Sequence, residues 1–391
     1  MTTVSDTAIT HRRVDLDYLR VIAFGLLIFF HAAVAFTPDP LPQMMNPESS
    51  IGMQRFVGFL SQFRLALLFL ISGVGVCFAM RNRDRKAFLA ERCMRLLIPL
   101  MFGILVLVPP MVYLEKRFLG LIPSGFWGLY QSLFSQGVYP QGNLSWHHFW
   151  FVAYLFLYCL LGWPIFRRLR TPPGQRMLQR FISRLARSLA LYWPIVPLLI
   201  IELPLRILFP GFRDLIHDGA SFSQWFFVFV AGYWFASSER LLNRTQEIRS
   251  LSLWLAIITS TILLTTFWSP QTGVSPLQDG VVNALEYFLF CAVRVANLWL
   301  WLLVCLGYAG RYLTHRNATV EYLNGAVYPL FCVHLPIMVA LEYRVLPADW
   351  GIATKYCVIT TGTIVLSLLT YEYLIRKIAP LRLLFGLKSV V

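Results

Sequence analysis

Charge is what this sequence lacks most. Only 14% of its 391 residues are Asp, Glu, Lys or Arg, against roughly 25% in a soluble domain. Acidic residues are the scarcest, 19 against 34 basic ones, so the formal net charge is +15. In a soluble protein that balance would point to nucleic acid. Here the arginines stand in short loops between apolar runs, which the positive-inside rule explains better, and no nucleic-acid partner is expected. Paired cysteines are missing too. Cys77, Cys93, Cys159, Cys291, Cys305, Cys332 and Cys357 are scattered, mostly inside apolar runs, and none forms a C-x-x-C pair. Zinc and redox motifs are thereby excluded, no metal is expected, and the thiols read as small apolar packing residues. There is no internal repeat, no low-complexity segment and no long polar block. The expectation is one integral-membrane domain over 1–391.

What is present in quantity is apolar: 57% of residues are hydrophobic and the mean hydropathy is +0.62. Runs of this length belong in a lipid bilayer. Ten spans are expected, near 18–36, 57–80, 96–114, 148–166, 189–209, 222–237, 251–268, 285–308, 323–342 and 354–375. Loop charge tests the count. Arg12 and Arg13, the stretch Arg81–Arg95, the stretch Arg167–Arg187, the trio Arg240, Arg244 and Arg249, the pair Arg311 and Arg316, and the C-terminal Arg376, Lys377, Arg382 and Lys388 fall on every alternate side. The intervening loops are poor in Lys and Arg. The pattern predicts an all-α polytopic membrane helix bundle of about ten transmembrane helices with N- and C-termini cytoplasmic. The basic N-terminus, apolar run and Ala33-Val34-Ala35 also resemble a signal peptide. Asp15, Asp17 and Arg20 interrupt that reading, and the span count needs this helix. The first outer loop carries Pro38, Pro40, Pro42 and Pro47 and is expected to be irregular. The basic stretch 81–95 is expected to be helical and continuous with span three, its arginines facing lipid headgroups or an anionic ligand.

The informative residues are the polar ones a bilayer should have excluded. His31 lies 13 residues past Tyr18, about 20 Å along a helix at about 1.5 Å per residue, so beyond the midplane and nearer the outer face. A titratable ring there is a functional hypothesis; the alternative is a packing histidine bonded to a neighbouring helix. Arg64 opens the next span, where an arginine can snorkel outward. Ser72 and Gly73 fall in mid-span, where small residues permit close helix contact. His147, His148 and Trp150 open span four. Glu202 and Arg206, four apart, share a helical face and can neutralise one another. Glu286 and Arg294 sit in or beside span eight, His334 in span nine behind Asn324 and Tyr328, and Glu372 low in span ten. Histidines toward one face and arginines at the other suit an anionic donor whose group is transferred across. The inner arginines would hold phosphates, and a histidine would act as general base or carry the group itself.

The chain resembles the acyltransferase 3 family of multi-pass membrane acyltransferases. The likeness is carried by Leu16-Asp17-Tyr18-Leu19-Arg20 leading to His31, by Phe63-Arg64 and Phe69-Leu70-Ile71-Ser72-Gly73, and by Glu91-Arg92-Cys93-Met94-Arg95 through Pro99. It continues through His147-His148-Phe149-Trp150-Phe151, Tyr322-Leu323-Asn324, His334-Leu335-Pro336, and Tyr371-Glu372 before Pro380-Leu381-Arg382. Within the family it is most similar to the branch that succinylates periplasmic glucans. It departs from that branch in pairing His147 with His148 and in having one histidine before Pro336. The resemblance implies an acyl-CoA co-substrate bound from the cytoplasm, succinyl-CoA first and acetyl-CoA second, and no tightly bound cofactor. It implies a periplasmic glucan or other glycan as acceptor and residence in a bacterial inner membrane. It groups His31, Arg64, His147 and His148 as catalytic, Arg92, Arg95, Asp17, Arg20 and Ser72 as donor-binding, and Trp150, Asn324, His334 and Glu372 as lining the acceptor site or channel. The role of the Asp15, Asp17 and Arg20 cluster stays open, as does oligomeric state, a homo-oligomer included. The rival reading is a proton-coupled transporter or exporter of a sugar, lipid or anion. Buried His, Glu and Arg suit it, but the repeats and paired broken helices of such proteins are missing. A membrane sensor or scaffold would leave the chain with no evident site.

Overall fold

In hydrocarbon every backbone N–H and C=O must find its partner within the protein, and an α-helix does so within one segment. The computed structural model describes residues 13–38, 44–80, 83–121, 125–187, 189–209, 211, 213–269, 273–274 and 283–387. Arg12, Pro40, Pro42, Arg81 and Lys388, which enter the loop expectations, lie outside them. In chain order the helices are α1 (Val14–Val34), α2 (Ile51–Ser61), α3 (Arg64–Ala79), α4 (Arg85–Phe118), α5 (Phe126–Gln131), α6 (Trp150–Leu169), α7 (Pro172–Leu185) and α8 (Ile195–Leu208). They continue as α9 (Gly219–Ala236), α10 (Glu239–Glu247), α11 (Arg249–Thr265), α12 (Ala284–Tyr312), α13 (Ala318–Val345), α14 (Ile352–Ile375) and α15 (Ala379–Leu384). A two-residue antiparallel ladder joins β1 (Trp268–Ser269) to β2 (Gly273–Val274).

Among the described residues, eight stretches are long and apolar enough to cross a membrane: α1, Ile51–Ala79, α4, His147–Leu169, Ala190–Leu208, α12, α13 and α14. The pair α10 and α11, bent by 66°, makes a ninth if it counts as one span. The polytopic all-α bundle of about ten expected spans therefore stands, with eight or nine stretches passing by length and composition among the described residues. The interval 222–237 is helical, as α9, but Ser221, Ser223, Gln224, Gly232 and Tyr233 dilute its apolar character. The interval 251–268 is helical, as α11, yet its 17 residues reach spanning length only together with α10. The basic stretch does run on into span three, as expected: α4 is continuous from Arg85, with π-turns at Cys93–Leu97 and Gly103–Leu107.

The chain forms two compact units. The first is Met1–Ala23, Gly58–Phe88 and Leu157–Asn324. Within it, α3 and α9 meet backbone to backbone. A Cβ on Gly73 would lie 1.9 Å from the Phe229 carbonyl oxygen, and one on Gly232 would lie 2.1 Å from that of Leu70. Small residues at such a crossing let two helices gain dispersion contact where lipid offers no hydrophobic drive. α11 and α12 are joined by Asn297, whose Nδ2 donates to the Ala256 carbonyl at 3.1 Å and reaches Thr259 Oγ1 and Ser260 Oγ at 2.8 Å each. In α8, Glu202 is fully buried. Its carboxylate accepts from Arg206 Nε at 3.0 Å, from Gln224 Nε2 of α9 at 2.6 Å and from Arg294 of α12. One acid thus ties three helices.

The second unit is Phe24–Val57, Leu89–Phe156 and Gly325–Val391. Here Tyr356 of α14 donates to the Phe29 carbonyl of α1 at 3.2 Å. Lys355 Nζ donates to Asn46 Oδ1 at 2.8 Å and to the Leu346 carbonyl at 2.7 Å. The long loop after α4 is gathered by Lys116, whose Nζ donates to the Gly142 carbonyl at 2.7 Å and Asn143 Oδ1 at 2.8 Å. Gly142 packs so closely on Gly137 that a Cβ would lie 2.1 Å from its carbonyl.

Candidate active site

The second unit brings three histidines together. His31 comes from the C-terminal half of α1, His334 from the middle of α13, and His148 from the 3₁₀ turn His147–Phe149 that leads into α6. His31 Nδ1 lies 3.2 Å from His334 Nε2, and the two rings stack with centroids 5.4 Å apart. The His148 ring stands edge-on to His334 at 5.2 Å. Phe24, Phe30, Phe149 and Phe331 make the ring contacts around them.

The sequence of α13 explains how these rings are held. Pro336 has no N–H, so the carbonyl four residues back, at Cys332, loses its helical donor. His148 Nε2 stands 3.3 Å from that carbonyl and supplies the missing hydrogen. His334 Nδ1 lies 2.7 Å from the Phe331 carbonyl. A carbonyl only accepts, so Nδ1 of His334 carries its proton, and in the neutral ring Nε2 is the acceptor. His31 must then donate from Nδ1 to His334, which puts the lone pair of neutral His31 on Nε2. Neutral His148, donating from Nε2, carries its own lone pair on Nδ1. His334 is fully buried and His148 nearly so, whereas His31 is half-buried. The ring that is oriented by a neighbour and still reachable is His31. That is the arrangement of a base or nucleophile with a positioning partner.

The same unit carries the arginine pair. Arg92 Nη2 donates to Glu91 Oε2 at 2.9 Å and Arg95 Nη1 to Glu91 Oε1 at 3.3 Å. Arg95, inside the first π-turn, also reaches the Gly386 carbonyl at 3.4 Å. Two guanidiniums on one carboxylate leave a positive excess that suits a phosphate. Trp150 is buried against Tyr154. Glu372 is half-buried and paired with Arg376 at 2.9 Å.

His147 turns the other way from His148. Its Nε2 lies 3.1 Å from Glu115 Oε2 at the end of α4, and its Nδ1 lies 2.6 Å from Ser145 Oγ. The Tyr139 ring lies tilted against the imidazole, with centroids 5.1 Å apart. Burial first, then the neighbouring Glu115 carboxylate, push the Tyr139 phenol above its ordinary range, so it stays a protonated donor. Sequence reasoning passed over Glu115, Ser145 and Tyr139. The signals were an acid closing an apolar run and a serine two residues before a histidine.

The remaining expected residues lie in the first unit. Arg20 Nη1 donates to Asn324 Oδ1 at 2.9 Å, and Asn324 Nδ2 donates to Asp17 Oδ1 at 2.8 Å. Ser72 returns its hydroxyl to the Leu68 carbonyl of its own helix at 2.7 Å. Arg64 does not snorkel: its residue is 1% exposed. A buried guanidinium is costly in apolar surroundings.

A family model described as an acyltransferase domain, that of the acyltransferase 3 family, matches residues 13–372. Neither a curated protein nor a solved structure matches the chain.

Proposed function

The chain belongs to the acyltransferase 3 family and is a transmembrane acyltransferase, and from that premise we propose that it moves a succinyl group from acyl-CoA to hydroxyls of a periplasmic glucan. Acetyl is the second choice of group, and another extracytoplasmic glycan the second choice of acceptor. The subfamily reading rests on the likeness of the ordered motifs to glucans biosynthesis protein C. The observation that carries the chemistry is the 3.2 Å contact that orients His31 on His334.

Acyl-CoA approaches from the cytoplasmic face of a bacterial inner membrane, with Arg92 and Arg95 on its phosphates. Guanidinium forks suit phosphate oxygens, and the charge-assisted bonds are stronger than neutral ones. The thioester reaches His31. On one route Nε2 takes the proton of the acceptor hydroxyl as its oxygen attacks the thioester carbonyl and the C–S bond breaks. On the other, Nε2 itself attacks and holds the acyl group as an acyl-imidazole before the hydroxyl receives it. On both, His334 fixes the tautomer that leaves the lone pair on Nε2. Asp17, Arg20 and Ser72 serve the donor side, and Arg64 serves the carboxylate of a succinyl group.

Mass spectrometry of periplasmic glucans from cells with and without the gene tests this reading. The expected result is a succinyl mass increment that vanishes with the gene. Identical glucan spectra would overturn the acceptor assignment.

A further inference from the structure

We infer that Ser145, His147 and Glu115 form a second acyl-bearing site, in which Ser145 receives the acyl group as a seryl ester before the glycan does. The inference rests on the acyl-transfer reading above and extends it. It stands on geometry within one unit. Ser145 Oγ is 2.6 Å from His147 Nδ1, and His147 Nε2 is 3.1 Å from Glu115 Oε2. Serine, imidazole and carboxylate in hydrogen-bonded sequence are the constellation that makes a hydroxyl nucleophilic. The two ring nitrogens exchange the parts they play in serine proteases, which leaves the logic unchanged. Glu115 is acceptor-only when ionised, so Nε2 carries the proton and Nδ1 presents its lone pair to the Ser145 hydroxyl.

Three further facts favour chemistry over packing. The Glu115 and His147 side chains are 4% and 8% exposed, so their pairing is shielded from water. Ser145 is only half-buried, so its hydroxyl can be approached. His147 holds a φ of 39°, in the left-handed region a side chain rarely enters, and Ser145 Oγ accepts the His147 backbone N–H at 3.1 Å. Strain of this kind persists where surrounding contacts over-determine it, and it concentrates at working sites. The chain ties Ser145 to the first site through His148. Ser145 is three residues before His148, so their Cα atoms are within about 11 Å, and the His148 ring meets that of His334.

The steps balance. His31 Nε2 attacks the thioester carbonyl, the C–N bond forms, and CoA leaves as thiolate with the C–S electron pair. Ser145 Oγ attacks the acyl-imidazole; its proton passes to His147 Nδ1, and the C–N pair returns to His31. The acceptor oxygen then attacks the seryl ester, the C–Oγ bond breaks, and the acceptor's proton ends on Ser145. The proton held at His147 passes to solvent, matching the one the thiolate takes up. Nothing is oxidised or reduced.

The test uses the full-length protein in native membranes and a fluorophosphonate probe, which labels activated serines whether or not acyl-CoA is a substrate. Peptide mapping should place the label on Ser145, with at least a tenfold loss in both His147→Ala and Glu115→Gln. His31→Ala should keep the label while losing acyl transfer. Ser145→Ala should lose glycan acylation. Absence of label at Ser145 in the wild-type protein, or undiminished acylation in Ser145→Ala, would overturn the inference. Label at Ser145 in a protein that transfers no acyl group would support the activated serine and sink the transfer reading instead.

Discussion

Two regions of this molecule bury polar groups in apolar helices, and they do it in opposite ways. In the first unit Glu202 is fully enclosed, with both oxygens taken by Arg206, Arg294 and Gln224. In the second unit the rings of His31, His334 and His148 are in hydrogen-bonded or edge contact, and His148 Nδ1 has no hydrogen-bond partner among the described residues. A carboxylate with every lone pair engaged has nothing left to offer a substrate. A ring whose neighbour fixes its tautomer keeps a lone pair in a defined direction. Burial of a polar group in a membrane marks a place worth attention; the saturation of its hydrogen bonds says whether that place is structural or chemical.

The comparison can be broken by substitution. Glu202→Gln removes the one negative charge from between two guanidiniums. Uncompensated buried charge costs about 3–5 kcal/mol, so the largest expected effect is a lowered melting midpoint in detergent, with acyl transfer per folded molecule unchanged. Lost transfer at unchanged stability would put Glu202 in the chemistry. His334→Phe keeps an aromatic ring but removes the acceptor that orients His31. It should lower kcat by about 10–100-fold, the range found for hydrogen-bond partners that orient metal-bound imidazoles, while leaving the KM for acyl-CoA alone. Steady-state kinetics separate the two. Gly73→Val drives a side chain into the Phe229 carbonyl and should cost about 1–3 kcal/mol, as overpacking does, again in the melt and not in kcat. Arg92→Ala should raise the apparent KM for acyl-CoA about tenfold, the worth of one charge-assisted bond. An unchanged KM would move the donor site away from the arginine pair.

The sequence was legible where the signal is local. Each of the ten apolar intervals holds a helix, because hydropathy decides that without long-range help, and the basic stretch continues into span three from Arg85. The pairing of Glu202 with Arg206 follows from a spacing of four. The third partner, Arg294, is 92 residues away and nothing local announces it. The histidines repeat that lesson. His31 and His334 each stood out as titratable rings in apolar runs, but their contact spans 303 positions. Pro336 was visible as a motif residue; that its missing N–H frees the Cys332 carbonyl for His148 required the fold. An isolated helix would let Arg64 reach outward, and packing within its unit encloses it instead. The adjacent His147 and His148 look alike in sequence. The turn at positive φ sends one ring to Glu115 and the other toward His334.

The central claim is that His31 is the reacting group. Purified wild-type protein and His31→Ala, matched for folded content by thermal melt, can be given acyl-CoA and glucan while release of the CoA thiol is followed. The wild type should release thiol in step with glucan acylation, and the variant should be slower by about 10²–10⁴-fold, the contribution of a positioned base. Thiol release from His31→Ala at the wild-type rate would contradict the account.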